Sequence, residues 1–392
     1  MLRVEDFRLP EELERYRLAV REFALTDLER MALKFEKTKE LPEELHPMLR
    51  DAGLLRLRLP KKHGGIGLTF SQHWPILLEV AKSHGSIRMI VHCFNSTFVM
   101  LDKHGSEEQK KRWFPEVWLA GKGFPMFALT EPDAGSGVDI RTTARRDGNH
   151  YVINGTKHLM TYANIALPFY VVAYTGDRSL GPKGISMIIT EKDTPGLTIE
   201  PQKEMMGIRG CYHGVVHFKD CRVPVSNLLG KEGEGLDIAL RTFLDISRLS
   251  IAVSIAGPCE RMLELSAEHA KKRVTFGKPI GDRAVIQQML GEMATNIYAT
   301  KCMIADCAAK YDAGENIAVP ASMCKVFAIE MSKTVSDTAL NIFGGIGYTS
   351  EHAVERHYRD LRAPWFEEGS ATIQKLIVGR DVVGKRIRSV GK

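Results

Sequence analysis

Residues 144–158, ARRDGNHYVINGTKH, break the rhythm of the chain. Before them apolar residues recur at threes and fours, as in LPEELHPMLRDAGLLRL (41–57) and SQHWPILLEVAKSHGSIRMIVHCFNSTFVM (71–100), with PKKHGGIG (60–67) as a breaker. That spacing predicts helices. Within 144–158 an Asp147-Gly148 pair separates two stretches of β-forming residues, a hairpin signal. Three short β-branched or aromatic runs follow, FYVVAYT, GISMIIT and GVVHFKD, divided by Gly, Pro and Asp. The helical period returns after Gly230, in long stretches from Leu236 to Ala270, Ala284 to Gly314 and Val319 to Gly345. The expected fold is α+β and mainly α. A helical N-terminal domain (1–122) precedes a small antiparallel β domain (123–231) and a C-terminal long-helix bundle (232–392). No βαβ repeat occurs, so GGIG at 344–347 is a poor candidate for a dinucleotide phosphate loop.

Composition narrows the classes of function. A chain of 392 residues with 44% apolar and 26% charged residues can bury a large core in two or three subdomains. The opening MLRVEDFRLPEELERYR reads as charged and amphipathic, not as a signal peptide, which together with the lack of a membrane-span run predicts a cytoplasmic location. Seven scattered cysteines without a CxxC pair argue against a disulfide framework and against zinc. His352 and His357 lack a zinc spacing, so no metal is expected. A net charge of +6 without a dense basic block gives little support to nucleic-acid binding and suits a polyanionic small ligand equally well.

Four motifs carry chemistry: FALTEPDAGSG (127–137), RVTFGKPI (273–280), NIFGGIGY (341–348) and FEEGSATIQKLI (366–377). In this order they resemble the signatures of the acyl-CoA dehydrogenase family, nearly end to end. The resemblance implies bound FAD, a CoA thioester substrate, an electron-transfer flavoprotein as electron acceptor and a homotetramer built as a dimer of dimers. It implies that Glu368 removes the proton α to the thioester while the β hydride passes to the flavin, giving a 2-enoyl-CoA. A base of this kind needs a water-poor cavity. The dipole of the helix that begins at Ser370, its expected N-cap, favours the anion and burial opposes it; burial is expected to prevail. Read locally, both glutamates are acids starting a buried helix, and Glu367 keeps that reading as a solvated neighbour.

The resemblance further places Phe127, Leu129, Thr130, Ser136, Leu159, Thr161 and Ser370 at the flavin. Arg273 and Phe276 fall at the FAD of a neighbouring subunit, and Asn341, Gly344 and Gly345 at the adenosine side of the FAD. Ser136, Asp245, Arg248 and Gly369 fall at the substrate. Taken alone, most of these read as turn caps, a glycine turn or an i,i+3 salt bridge. The chain departs from the family pattern at Gly137, at Leu159 where an aromatic ring is usual, and at Ala284 and Asn341 where glutamine is usual. Some relatives carry the catalytic acid just before the arginine at 248, where this chain has Ser247. Arg88 reads as a surface helix arginine; turned inward, it would favour a dicarboxylyl-CoA. Enoyl-CoA reduction or flavin oxidation on the same scaffold is the alternative reading, and a non-catalytic flavoprotein binding a macromolecule is a third.

Overall fold

A computed structural model describes residues 9–202 and 204–385. The first eight residues of the charged opening lie outside them.

The N-terminal helices are α1 (Glu11–Leu25), α2 (Asp27–Thr38), α3 (Leu45–Asp51), α4 (Phe70–Ala81), α5 (Gly85–His104) and α6 (Glu107–Trp113). Sequence chemistry starts them in recognisable ways. Thr69 and Ser106 close capping boxes with Gln72 and Gln109. The Asp360 carboxylate accepts from the Gly85 N–H at 2.9 Å, so α5 begins on a side chain from the far end of the chain. α5 is buried on nearly every face, its polar residues Arg88, His92, Asn95, Ser96 and Thr97 included.

The strands are β1 (Phe124–Ala128), β2 (Thr143–Asp147), β3 (His150–Thr161), β4 (Ala166–Tyr174), β5 (Ile185–Thr190), β6 (Leu197–Pro201), β7 (His213–Pro224) and β8 (Leu228–Leu229). β2 and β3 form the hairpin expected at Asp147-Gly148. The sheet runs β6-β7-β3-β2-β4-β5-β8, with β1 beside β4. The expected antiparallel sheet is corrected here to a mixed one: β1 pairs with β4 in parallel, and so does the end of β2. The loop after β1 and the β2–β3 hairpin, which lie between β1 and β4, supply the long connection that a parallel pair requires and a tight turn does not.

A short helix α7 (Gly235–Asp237) continues through a π-helical turn (Ile238–Leu244) into α8 (Asp245–Lys272). The hairpin β9 (Val274–Thr275) and β10 (Lys278–Pro279) leads to α9 (Ala284–Asp312) and α10 (Ala318–Phe343). α11 (Ala353–Asp360) and α12 (Ala371–Val382) follow. α8 is the axis of the molecule, packed on α4, α5, α9 and α10. Gly257 allows its approach to α4, because a Cβ there would stand 2.5 Å from the Leu78 carbonyl oxygen. One continuous apolar core joins the helical layers to the sheet. Among the described residues no helix is long and apolar enough to cross a membrane, and no group of three His, Cys, Asp or Glu is placed to hold a metal.

Candidate active site

The segment between α11 and α12 sets the site. Glu368 and Gly369 both have positive φ, +55° and +94°. For a glutamate this conformation costs on the order of 1–3 kcal/mol and persists only where its surroundings impose it. Those surroundings are polar and buried. The Lys325 ammonium on α10 donates to the Glu367 carbonyl and, at 2.6 Å, to that of Gly369, gripping the peptide units on both sides of Glu368. The Gln374 amide donates to the carbonyls of Glu368 and Gly369, each at 3.3 Å, and is itself fixed by the Ser322 hydroxyl at 2.9 Å. Ser370 caps α12, accepting from the Ile373 N–H at 3.4 Å as expected.

The adjacent glutamates turn to different partners. Glu367 accepts a bidentate pair from the Arg88 guanidinium at 2.8 and 2.9 Å. Two expectations fail here. Arg88 is 2% exposed, not a surface residue, and Glu367 is an ion-pair partner, not a solvated neighbour. A buried cation needs a carboxylate, and the chain supplies one from 279 residues away, beyond the reach of any local pattern. The helix after Ser370 is corrected as well. Of α12 only Gln374 is buried, while Ile373, Leu376 and Val382 are exposed.

Glu368 points the other way, toward α8. Its Oε1 accepts from the Ser247 hydroxyl, and His92 Nε2 stands 3.6 Å from the same oxygen. Its Oε2 is buried and finds no partner among the described residues. Burial raises the Glu368 carboxyl to about 7, against the Ser247 hydrogen bond and the Lys325 charge, which both favour the anion. Burial likewise lowers Lys325, to about 8, although both glutamates favour its cation. Next to Ser247, Arg248 donates to Asp245 one turn earlier at 2.9 Å, and burial raises that aspartate to about 6.

Three family models cover the chain almost completely: the N-terminal domain of acyl-CoA dehydrogenases over residues 10–120, the middle domain over 126–221 and the C-terminal domain over 233–383. The chain belongs to the acyl-CoA dehydrogenase family. This acyl-CoA dehydrogenase homologue is 35% identical over 381 residues to acryloyl-CoA reductase (NADH) of Anaerotignum propionicum, covering 96% of each chain. A chain in the solved structure of the electron transferring flavoprotein of Acidaminococcus fermentans matches at TM-score 0.91 and 30% identity, covering 98% of this chain and 100% of that one. A glutaryl-CoA dehydrogenase from Mycobacterium smegmatis, solved in complex with FADH2, matches at TM-score 0.91 and 26% identity, covering 98% of each. The family is one of oxidoreductases acting on CH–CH groups.

The expected site residues of this acyl-CoA dehydrogenase homologue fall into two groups. One adjoins Glu368. The end of β1 reaches the π-helical turn that precedes α8, with the rings of Phe127 and Phe243 4.9 Å apart. The loop after it is locked from below: Glu131 accepts from the Thr142 hydroxyl and backbone at 2.6 and 3.0 Å, and Lys157 donates to Glu131 at 2.8 Å and to the Leu129 carbonyl at 2.9 Å. This leaves the Thr130 and Ser136 hydroxyls 2.8 Å apart at the loop's open side. Leu159 sits in a bulge of β3 with φ +55° and its side chain exposed, close to Thr161. The next residue, Tyr162, donates to the Ser86 carbonyl at 3.0 Å, two residues before Arg88.

The second group lies at the other end of α8. Arg273 and Phe276 are exposed on the β9–β10 hairpin, Phe276 at 95%. Asn341, Gly344 and Gly345 are exposed at the end of α10, tied to the same place by the stacking of Phe343 on His269 at 4.3 Å. At 1.5 Å per residue, the helix separates Ser247 from His269 by about 33 Å. Within one chain the two groups do not meet.

Sequence reasoning missed Lys325, Gln374, Arg88 as an inward residue, and His92. One signal was present. Arg88, His92 and Ser96 recur every four residues among the apolar residues of α5, and Ser247, Ser250 and Ser254 line α8 at helical spacing. Polar residues repeating at helical spacing on a long, largely apolar stretch mark a polar seam inside the protein.

Proposed function

We propose that this chain catalyses the FAD-dependent α,β-dehydrogenation of an acyl-CoA thioester to the 2-enoyl-CoA, with Glu368 as the base. The observation that carries the reading is Glu368 itself: a carboxylate held in a left-handed turn, one oxygen fixed by Ser247 and the other without a partner among the described residues, with its pKa brought to about 7. A base poised near neutrality both accepts and releases a proton readily.

The residues around the β1 loop suit FAD. The Thr130, Ser136 and Thr161 hydroxyls offer hydrogen bonds to a polar ring edge, and exposed Leu159 offers apolar cover. Thr130, Ser136, Leu159 and Thr161 would hold the flavin, with Phe127 and Leu129 beneath them and the Ser370 helix start alongside. Bound FAD supplies the acceptor for the hydride leaving the β carbon. This chain's own part is to orient the thioester, exclude water and take the α proton on Glu368. The open backbone at Gly369 and the Asp245–Arg248 pair would bind the substrate, with Ser136 at the CoA chain. Arg273, Phe276, Asn341, Gly344 and Gly345 would complete the FAD site of a neighbouring copy in a homotetramer. That accounts for their place at the far end of α8. The electron acceptor would be an electron-transfer flavoprotein, in keeping with the match to a chain from such a structure.

A second reading, reduction of an enoyl-CoA, is favoured by the same pKa, which leaves Glu368 a competent acid, and by the similarity to acryloyl-CoA reductase (NADH). Arg88 does not extend to a substrate carboxylate in this arrangement, because Glu367 already occupies its guanidinium. Anaerobic titration with saturated and 2-enoyl-CoA thioesters, following the visible absorption of the flavin, tests both readings. Bleaching by a saturated thioester in wild type but not in Glu368→Gln supports the first. A protein that holds FAD and is bleached by no thioester would refute it.

A further inference from the structure

Behind Glu368 the seam between α5 and α8 holds polar side chains that proton abstraction alone does not require. Ser247 Oγ lies between Glu368 Oε1 and His92 Nε2, 2.7 Å from the latter, and both Ser247 and His92 are fully buried. Valence fixes the directions. A carboxylate only accepts, so the single hydroxyl hydrogen of Ser247 goes to Glu368, and Ser247 Oγ accepts from His92 Nε2–H. His92 Nδ1 then carries a lone pair, and it has no partner among the described residues. Also in this buried seam, both ring nitrogens of His73 on α4 and the hydroxyl of Ser254 on α8 are buried and likewise unpartnered among the described residues. Burial, with Arg88 one turn earlier on α5 and Lys325 on α10, keeps His92 from taking a positive charge. The ring therefore presents one donor and one acceptor, an arrangement that passes a proton on without storing it.

We propose that Ser247 and His92 form a neutral proton relay that carries the proton taken up by Glu368 into the seam between α4, α5 and α8. The inference rests on Glu368 being the base. As the Glu368 O–H bond breaks, its proton passes to Ser247 Oγ. The former Ser247 hydrogen passes to His92 Nε2, and His92 Nδ1–H gives its proton to a water molecule. One proton moves, no electrons do, and the end state is the arrangement in the structure: carboxylate, Ser247 donating to it, His92 protonated on Nε2 and bare on Nδ1. The reverse sequence recharges Glu368 for enoyl reduction. A thioester lying against Glu368 covers its open side, so a route at its back lets the glutamate reset before product leaves. Neither residue touches the reacting carbon; both act through Glu368.

Two measurements test the relay. In the anaerobic holoenzyme in D2O, the rate of single-turnover flavin bleaching is compared with the rate at which solvent deuterium replaces the α hydrogen of the same saturated thioester. His92→Gln and Ser247→Ala are expected to slow exchange at least about tenfold more than bleaching. Equal slowing of both rates would mean that the pair only shapes the site, and would overturn the relay. Separately, 15N NMR of histidine-labelled wild type without substrate, between pH 6 and 8, should show His92 neutral throughout, with its proton on Nδ1 below the Glu368 midpoint and on Nε2 above it. The charged or titrating groups facing this pair are Arg88 and Cys93 on α5, His73 on α4, Arg248 on α8, Lys325 on α10, and Glu367. A single tautomer across the range, or an imidazolium, would overturn the relay. A tautomer switch in a protein that no thioester bleaches would keep the relay and reject the dehydrogenase reading.

Discussion

The two ends of α8 are built on opposite principles. At its N-terminal end the chain pairs its own polar side chains: Ser247 with Glu368 and His92, Arg248 with Asp245, and, on the elements around it, Arg88 with Glu367 and the flanking carbonyls with Lys325. At its C-terminal end Phe276, Tyr348 and Val274 lie open to solvent. Exposed large apolar side chains gathered in one region mark a surface meant to be covered. On the proposed reading the first end holds chemistry that one chain positions, and the second holds parts that a neighbouring copy would use. The closed end should therefore answer to single substitutions that leave assembly intact, and the open end to substitutions that leave Glu368 undisturbed.

The largest effect is expected at the base. Glu368→Gln should retain the fold, the FAD and thioester binding, and lower turnover by about 10²- to 10⁴-fold, the range for loss of one positioned proton acceptor. Steady-state rates with the thioester that bleaches wild type check this, and turnover within threefold of wild type would remove Glu368 from its role. Next comes the clamp. Arg88→Met leaves Glu367 half-buried without its cation and should destabilise the chain by about 3–5 kcal/mol in urea unfolding, whereas Arg88→Met with Glu367→Gln should recover most of the loss. Equal destabilisation in the single and double variants would mean that packing around Arg88, and not the charge pair, holds the segment.

A smaller effect depends on pH. The folded-state pKa of Glu368, about 7, lies above its ordinary value of 4.5, so the folded protein binds more protons than the unfolded chain between those values. Its stability must therefore fall as pH rises through that window and level off above pH 7. Glu368→Gln lacks this term. It should gain on wild type progressively from pH 5 to pH 8, by at most about 3 kcal/mol. Parallel stability curves for the two proteins would show that the carboxyl is not held near neutrality. If Glu368 is the base, the same group should work in the opposite sense in activity, with dehydrogenation expected to rise as the carboxylate forms.

How much of this was legible in the sequence follows from distance along the chain. The hairpin at Asp147-Gly148, the Ser370 cap and the Asp245–Arg248 pair are local, and spacing alone gives them. The parallel β1–β4 pairing is not, because a strand's own sequence does not say which neighbour it meets or in which direction. Arg88 failed for a sharper reason. On a helix an arginine with polar neighbours at i+4 and i+8 fits a solvated stripe as well as an internal seam, and only Glu367, in another motif, decides between them. The same holds for Lys325, whose acceptors are main-chain carbonyls that no side-chain pattern reveals.

The smallest effect on the chain itself should come from the open end, and it sharpens the contrast most. Phe276 is 95% exposed at a left-handed turn, so it stabilises its own chain little, and Phe276→Ser should change unfolding free energy by no more than about 0.5 kcal/mol once assembly is accounted for. If the hairpin completes a neighbour's FAD site, the same substitution should lower the flavin-to-protein ratio and shift sedimentation toward smaller species. The pH dependence of stability that Glu368 gives should stay as in wild type. Full flavin content with an unchanged oligomer would show that the two ends of α8 do not divide the work between chains. Loss of flavin together with a collapsed pH response at Glu368 would show that the closed end is not closed after all and takes its shape from assembly.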